Sequence, residues 1–372
     1  MKTKITRASL AEATGAVKGV VQKDASSAFS RVRLDVVGPN VSITGSNGDV
    51  QVQYRITGET EDNGIVTLPG SIFWRFVRAM PEGVVEIGGD AGGKVKMEGA
   101  GVKFNMTSGE DVDFPKMKEP KAGTAHANIP SMTLREMLRK VKFAAAEDAT
   151  RAAICGVNMK LADDLFEMTA TDGRRLAHVE FGRKGTGDMN GASFDVTLAN
   201  KTVGVLYGLL DDKGGDVDIV SDGSTIAFVC DKWIITAKVL ASAYPSWQNV
   251  VPSQIEHHAK IGRVAFLEAM GRVALAAADG DGCSVRITLK DKSVKFHASS
   301  KLATADAEID CCSIANGGEA KFHFNPRLLR EALEAIDEDE FTFGFNGSGP
   351  GNAVVLKCTV PWLAVVMPLR IG

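Results

Sequence analysis

A chain that spells one succession of elements three times is constrained to fold as three copies of a unit, more firmly than any single motif could constrain it. The period is close to a third of the length, and 372 residues are three times 124. In the first copy, Leu10 to Lys23 has helical apolar spacing (Leu10, Ala13, Val17, Val20, Val21), followed by strands at Val32 to Val37, Val41 to Thr44 and Val50 to Ile56. Val66-Thr67-Leu68-Pro69 then leads into a helix over Ile72 to Met80, with proline placed at its start. Strands Val84 to Ile87, Lys94 to Met97 and Val102 to Met106 complete the copy, which closes at Asp113-Phe114-Pro115.

The second copy repeats the order. A helix is predicted over Leu134 to Ala146, strands around Val157 to Lys160 and Phe166 to Thr169, then Val196-Thr197-Leu198-Ala199 before a helix over Thr202 to Leu210. Strands Val217 to Val220, Thr225 to Val229 and Trp233 to Lys238 follow, and the copy closes at Tyr244-Pro245. The third has a helix over Val264 to Ala278, strands Cys283 to Leu289 and Val294 to Ser299, and a helix over Arg327 to Ile336 opened by Asn325-Pro326. It ends with strands Glu340 to Gly344, Ala353 to Cys358 and Trp362 to Val366, and Met367-Pro368 stands where Phe-Pro and Tyr-Pro stood. The class this implies is α+β, with linkers expected near Gly123 to Pro130 and Pro252 to Lys260.

Composition excludes several kinds of protein. With 44% hydrophobic and 24% charged residues the chain reads as globular and soluble. No stretch has the apolar length of a membrane span, and Met1 to Arg7 lacks a signal peptide's apolar run, so a cytoplasmic location with no membrane partner is expected. Six cysteines without a Cys-x-x-Cys pair, Cys311 and Cys312 among them, fit reduced thiols better than a disulfide scaffold or zinc site. A formal net charge of -3 means that any nucleic-acid contact must come from basic residues gathered on one face.

The segment Met168 to Ala177 is the sharpest local signal. It reads as a strand that turns at Asp172-Gly173 and resumes, and Thr44-Gly45-Ser46-Asn47-Gly48 echoes it one period earlier. The corner carries Thr171, two arginines and Leu176 but no nucleophile beside a base, which suits gripping a partner.

With the repeat, this corner and the ending Val365-Val366-Met367-Pro368-Leu369-Arg370, the chain resembles the bacterial sliding clamps, the beta subunits of DNA polymerase III. The resemblance covers essentially the whole length; outside these segments it holds by pattern, which suits a phage- or plasmid-borne member as well as a chromosomal one. It implies three sliding-clamp domains, 1–124, 125–254 and 255–372, each with two helices against antiparallel sheets, assembling into a dimeric six-domain ring around duplex DNA. The implied function is that of a processivity factor that tethers the replicative DNA polymerase. The clamp loader and other proteins with clamp-binding motifs are the further partners, and no cofactor or metal is called for.

Site residues follow from that resemblance. The partner-peptide pocket would comprise Ile154, Thr171, Gly173, Arg174, Arg175, Leu176, Pro245, Val250, Val365, Val366, Met367, Pro368 and Leu369, with aliphatic and methionine walls for apolar anchors and arginine at the rim. Arg135, Arg139 and Lys142 form a stripe on one helix face, and Arg75 with Arg78 and Arg327 with Arg330 form pairs; all would face DNA. Lys18, Lys23, Arg151, Lys201 and Arg272 are single candidates beside them. Phe104 would meet the region of Leu275 on the neighbouring subunit. Two departures stand out: Asn249 occupies a position where many members carry arginine, and Ala152-Ala153 replaces an aromatic pair that touches DNA in some relatives.

Other chemistry is weakly signalled. Gly88 to Lys94 has the glycine and lysine spacing of a phosphate loop, but Val95 stands where Ser or Thr should meet magnesium, so a hairpin loop is expected. Adjacent His257-His258 read as a solvated linker, and Asp337 to Glu340 as an acidic turn on the outer wall. The rival is an enzyme, a magnesium-dependent nuclease or phosphotransferase acting on DNA.

Overall fold

The computed structural model describes the chain except for residues 25–26, 112–113, 121–124, 149, 163–164, 183–192, 211–213, 278–282, 291, 311–312, 316–318 and 371–372. Asp113, Ala149, Cys311, Cys312 and the start of the first expected linker therefore lie outside the described residues.

Along the chain, β1 (Lys2–Thr6) and α1 (Arg7–Lys18) precede β2 (Arg31–Val37), β3 (Asn40–Ser46), β4 (Val50–Thr57), β5 (Glu59–Asp62) and β6 (Gly64–Pro69). Then come α2 (Gly70–Ala79), β7 (Val84–Gly89), β8 (Lys94–Gly99) and β9 (Val102–Thr107). The second copy has β10 (Ala125–Pro130), α3 (Ser131–Val141), β11 (Gly156–Ala162), β12 (Leu165–Thr171), β13 (Arg175–Gly182) and β14 (Phe194–Ala199), followed by α4 (Asn200–Leu209), β15 (Asp216–Ser221), β16 (Thr225–Val229) and β17 (Trp233–Lys238). The third has β18 (His257–Gly262), α5 (Arg263–Ala274), β19 (Val285–Lys290), β20 (Ser293–Ser299), β21 (Thr304–Asp310), β22 (Ser313–Ala315) and β23 (Ala320–Phe324). It finishes with α6 (Pro326–Glu334), β24 (Glu340–Phe345), β25 (Val354–Lys357) and β26 (Trp362–Val366).

The repeat holds down to single hydrogen bonds. In each copy a short strand leads straight into a helix and pairs antiparallel with the strand after the second helix: β1 with β7, β10 with β15, β18 with β24. The first residue of that helix donates its amide to the loop before the paired strand: Arg7 to Gly83 at 2.8 Å, Ser131 to Gly215 at 3.1 Å and Arg263 to Asp339 at 2.7 Å. These bonds satisfy one of the four amides that a helix start leaves open.

The chain divides into two compact units. One holds a five-stranded sheet, β5-β1-β7-β8-β9, and an eight-stranded sheet, β10-β15-β16-β17-β4-β3-β2-β6. Its core includes Leu34, Ile43, Val52, Phe73, Val77 and Phe228, all essentially inaccessible. The other unit holds a nine-stranded sheet, β14-β11-β12-β13-β26-β25-β24-β18-β22, and a four-stranded sheet, β21-β20-β19-β23. Phe266, Phe322, Phe324 and Phe343 pack edge-on or tilted at its centre. In both large sheets a strand of one copy is bonded to a strand of the next: β4 to β17, and β13 to β26.

Several expectations are corrected. The stretches read as linkers contain strands β10 and β18, and His257, read as solvated, stacks on Phe345 with centroids 5.1 Å apart. The first helix ends at Lys18 rather than Lys23, because Gly19 caps it and Val20 turns into the core. The helix of the second copy begins at Ser131 and ends at Val141, its expected last turn being a separate 3-10 turn, Lys142–Ala144. The segment from Gly88 to Lys94 is the expected hairpin loop between β7 and β8.

Candidate partner-binding site

The corner between β12 and β13 is built by its own side chains. Thr171 Oγ1 donates to the Arg175 carbonyl at 2.7 Å and accepts from the Gly173 amide at 3.1 Å. Asp172 Oδ1 accepts the amides of Arg174 and Arg175 at 2.8 and 2.9 Å. Gly173 holds φ at +80°, a region side chains resist, and Gly48 holds +89° at the equivalent turn between β3 and β4. The Asp-Gly and Asn-Gly signals therefore mark one hairpin in two copies.

From this corner β13 runs antiparallel to β26, placing Leu176 opposite Val365 and Arg175 opposite Val366. Beyond β26, the Met367 amide donates to the Arg174 carbonyl at 2.9 Å and the Leu369 amide to the His323 carbonyl at 2.6 Å, so the tail is tied down by backbone bonds. Leu176, Val355 and Val365 form a buried cluster against which Trp247, Val251, Ile255, Ala353 and Leu363 pack, partly open to solvent. Pro245 and Val250 stand exposed on the segment that carries Trp247, Val250 at 47%. The corner, the tail and this segment thus converge on an apolar surface with a buried aliphatic floor. Ile154 is half-buried in the 3-10 turn Ala152–Ile154.

Two arginines at the corner have different roles. Arg174 is exposed, while Arg175 is 7% exposed and belongs to the interior, which corrects its placement at a rim. Its guanidinium meets Asp172 at 3.1 Å, Glu331 at 2.5 Å and the Phe143 carbonyl at 2.5 Å. Burial pushes the Glu331 carboxyl up, and the hydrogen bonds and charges of Arg327 and Arg175 outweigh it and hold it below its ordinary pKa. Arg151 bonds the Asp172 carbonyl, so it buttresses the same corner.

Trp247 was missed in the sequence. Its ring stacks on His178, with centroids 3.8 Å apart and planes at 25°. His178 bonds Thr169 Oγ1 at 2.8 Å through Nδ1 and Glu180 at 3.0 Å through Nε2. Glu167, His178 and Glu180 bring donor atoms within 4.8 Å of one another, the donor types of a metal site, and here His178 bonds Glu180 while Glu167 stands 3.7 Å from His178 and 4.0 Å from Lys160. The tryptophan carried only the signal of lying two residues after Tyr244-Pro245.

The cations expected to face DNA fall into two groups. Arg135 donates to the carbonyls of Tyr207 and Leu210, and so closes the end of α4. Arg139 is held by Glu136 at 2.6 Å and by Asp337 at 2.5 Å. Lys140, 5% exposed, bonds Asp337 at 2.9 Å and the Ala335 carbonyl at 3.1 Å. The Arg135 stripe is thus mainly structural, and the acidic turn at Asp337 is its counterpart rather than a solubilising surface. Arg272 and Arg327 pair with Glu268 and Glu331. Lys18, Lys23, Arg75, Arg78, Lys142, Lys201 and Arg330 are exposed. Phe104, on β9, stacks on Phe76 at 4.2 Å, and Leu275 is 87% exposed at the end of α5.

This architecture, three α+β copies sharing sheets, is that of DNA sliding clamps. The structure is similar to the sliding clamps of Bacillus subtilis (22% identity, TM-score 0.92) and Pseudomonas aeruginosa (24%, TM-score 0.91), over 100% of each chain. It is equally similar to a Pseudomonas aeruginosa clamp solved bound to griselimycin (23%, TM-score 0.92, 100% of each chain). In sequence, the Bacillus subtilis beta sliding clamp is 26% identical over 360 residues, 94% of both chains. Family models of the DNA polymerase III beta subunit match in order: N-terminal domain at residues 1–118, central domain at 128–246 and C-terminal domain at 248–370. The chain belongs to the DNA polymerase III beta subunit family and is a sliding clamp, a processivity factor. Among the described residues no helix is long and apolar enough to cross a membrane.

Proposed function

We propose that two copies of this chain close head to tail into a ring that holds duplex DNA by topology and takes partner proteins on the apolar surface around Leu176. The observation that carries the closure is the pattern of sheet joints. The fourth strand of the first copy bonds the last strand of the second (β4 with β17), and the fourth strand of the second copy bonds the last strand of the third (β13 with β26). Among the described residues two strands occupy the same places without such a partner: β21, bonded only to β20, and β9, bonded only to β8. Pairing β21 of one chain with β9 of another repeats the joint a third time, and a heterologous contact of that kind closes after two copies if the rotation fits. Phe104 lies on β9, and Leu275 projects from α5, which packs against β21.

In the ring the exposed Lys18, Lys23, Arg75, Arg78, Lys142, Lys201 and Arg330 attract phosphate without reading bases, which suits a clamp that must slide. The apolar surface receives short peptide segments of the replicative polymerase, the clamp loader and other proteins with clamp-binding motifs. Its anchors are Val250, Pro245 and Met367 over the Leu176, Val355 and Val365 floor, with Arg174 at the rim. The protein acts by tethering rather than by catalysis, in the cytoplasm, with the domains at 1–124, 125–254 and 255–372. The test is retention on DNA: protein loaded on a closed circle should stay and should leave when the circle is cut, and equal retention on both refutes the ring. For the pocket, Val250→Asp should weaken a polymerase tail peptide about thirtyfold or more, as for a central interface anchor. Unchanged peptide affinity would remove that assignment.

A further inference from the structure

Between α1 and α2 lies an open groove of about 360 Å3. Val17, Val21, Val32, Phe73 and the indole of Trp74 line it with apolar surface. Lys18, Lys23 and Arg75 stand around it, and among the described residues no carboxylate lines it. Trp74 is half-buried, and two cations sit over its ring: Lys18 Nζ 3.7 Å from the centroid and Arg78 Cζ at 4.9 Å. Elsewhere Arg139, Arg272 and Arg327 have carboxylates for partners; here the indole serves instead. Such a contact at an exposed site is weak, so a phosphate can draw the cations away from the ring and leave its face open.

The start of α2 adds to this. Its N-cap is Pro69, which makes no side-chain capping bond, and Gly70 and Ser71 at the first turn line the groove. A Cβ on Gly70 would lie 2.9 Å from Val21 Cγ1 and 3.0 Å from the Ser30 carbonyl, so glycine lets the chain after α1 close over the helix start. The positive end of the α2 dipole thus faces the same cleft as the three cations.

A slot with apolar walls, an aromatic face and a cationic rim without acid complements a planar base attached to a phosphate. We propose that this groove binds an unpaired nucleotide of single-stranded DNA. The base lies against Trp74 in place of the Lys18 ammonium, and the phosphate is held by Lys18, Lys23 and Arg75 at the start of α2. The proposal rests on the reading that the clamp encircles DNA, and it adds a grip on unpaired strand that a sliding contact with duplex does not require.

The experiment is fluorescence anisotropy of the full chain with a labelled short oligodeoxythymidylate and with a duplex of the same length. Trp74→Ala should weaken the oligodeoxythymidylate roughly tenfold or more, with Trp74→Phe retaining most of the binding because a flat ring remains. Lys23→Ala should weaken it and flatten its salt dependence. Duplex affinity and retention on closed circles should change less than about twofold in Trp74→Ala. An unchanged oligodeoxythymidylate affinity, an equal loss for duplex, or displacement of the oligonucleotide by polyglutamate each overturns the proposal. Should Trp74→Ala misfold, photocrosslinking the unaltered protein to 5-iodouracil DNA decides: an adduct on Trp74 supports the site and adducts only elsewhere overturn it. If closed circles are not retained by the unaltered protein, the ring reading fails; if they are and the oligonucleotide ignores Trp74, only this proposal fails.

Discussion

Trp247 lies against His178 at 3.8 Å, and through that stack the segment bearing the exposed Pro245 and Val250 is fastened to a buried imidazole on β13. His178 is closed off from water, and burial holds its pKa below the ordinary 6.5, although the carboxylates of Glu180 and Glu167 pull the other way. The folded state therefore binds fewer protons than the unfolded chain as pH falls below about 6.5. Stability carried by the neutral ring is complete above that value and declines on acidification towards the depressed folded pKa. Thermal unfolding followed from neutral to mildly acid pH should show His178→Phe losing less stability than the unaltered chain, and parallel curves would show that His178 is not the group responsible.

Arg175 joins the corner to α6 through Glu331 at 2.5 Å. Removing one partner of a buried pair strands the other, so Arg175→Ala should cost about 3 kcal/mol, at the low end of the usual range because Glu331 retains some access to water. Arg175→Lys should rescue only part of this, since one ammonium cannot reach Asp172, Glu331 and the Phe143 carbonyl together. Chemical denaturation of the three proteins checks it; a loss below about 0.5 kcal/mol for the alanine variant would mean that the ion pair is a surface one.

Gly156 opens β11 where that strand passes β14. A Cβ there would lie 2.0 Å from the Leu198 carbonyl oxygen and 3.2 Å from Ala199 Cα, both backbone, so nothing flexible can yield. Gly156→Ala should destabilise the protein by about 3 kcal/mol, near the upper end for overpacking, and a midpoint in denaturant equal to that of the unaltered chain would refute the close approach.

What the sequence made legible follows from chemistry that is local. Asp172-Gly173 and Asn47-Gly48 announced their hairpins because a turn with positive φ needs glycine, and Asn325 announced α6 by capping the Arg327 amide at 2.9 Å. The strands β1, β10 and β18 stayed hidden because their partners, β7, β15 and β24, lie far along the chain and their own apolar patterns are short. Arg135 and Arg139 looked like a solvent-facing stripe since helical spacing reports a face, whereas what faces them (the end of α4 and Asp337) is decided by tertiary packing. In the same way Arg174 and Arg175 are alike as letters, and only their places in the fold, one in the exposed turn and the other at the buried start of β13, tell them apart.

Leu275 offers a test of assembly that single-chain stability cannot imitate. At 87% exposure it contributes almost nothing to the fold of one chain, and an aspartate there should alter the unfolding free energy of an isolated copy by about 0.5 kcal/mol or less. If α5 and the β21 edge meet β9 of a second copy, the same change places an unpaired charge in a closed apolar contact, which costs several kcal/mol per interface. Sedimentation should then find the unaltered protein as a dimer and Leu275→Asp as a folded monomer with native circular dichroism. A Leu275→Asp protein that sediments as the unaltered dimer would move the joint away from this end of the chain and leave β9 and β21 to be paired some other way.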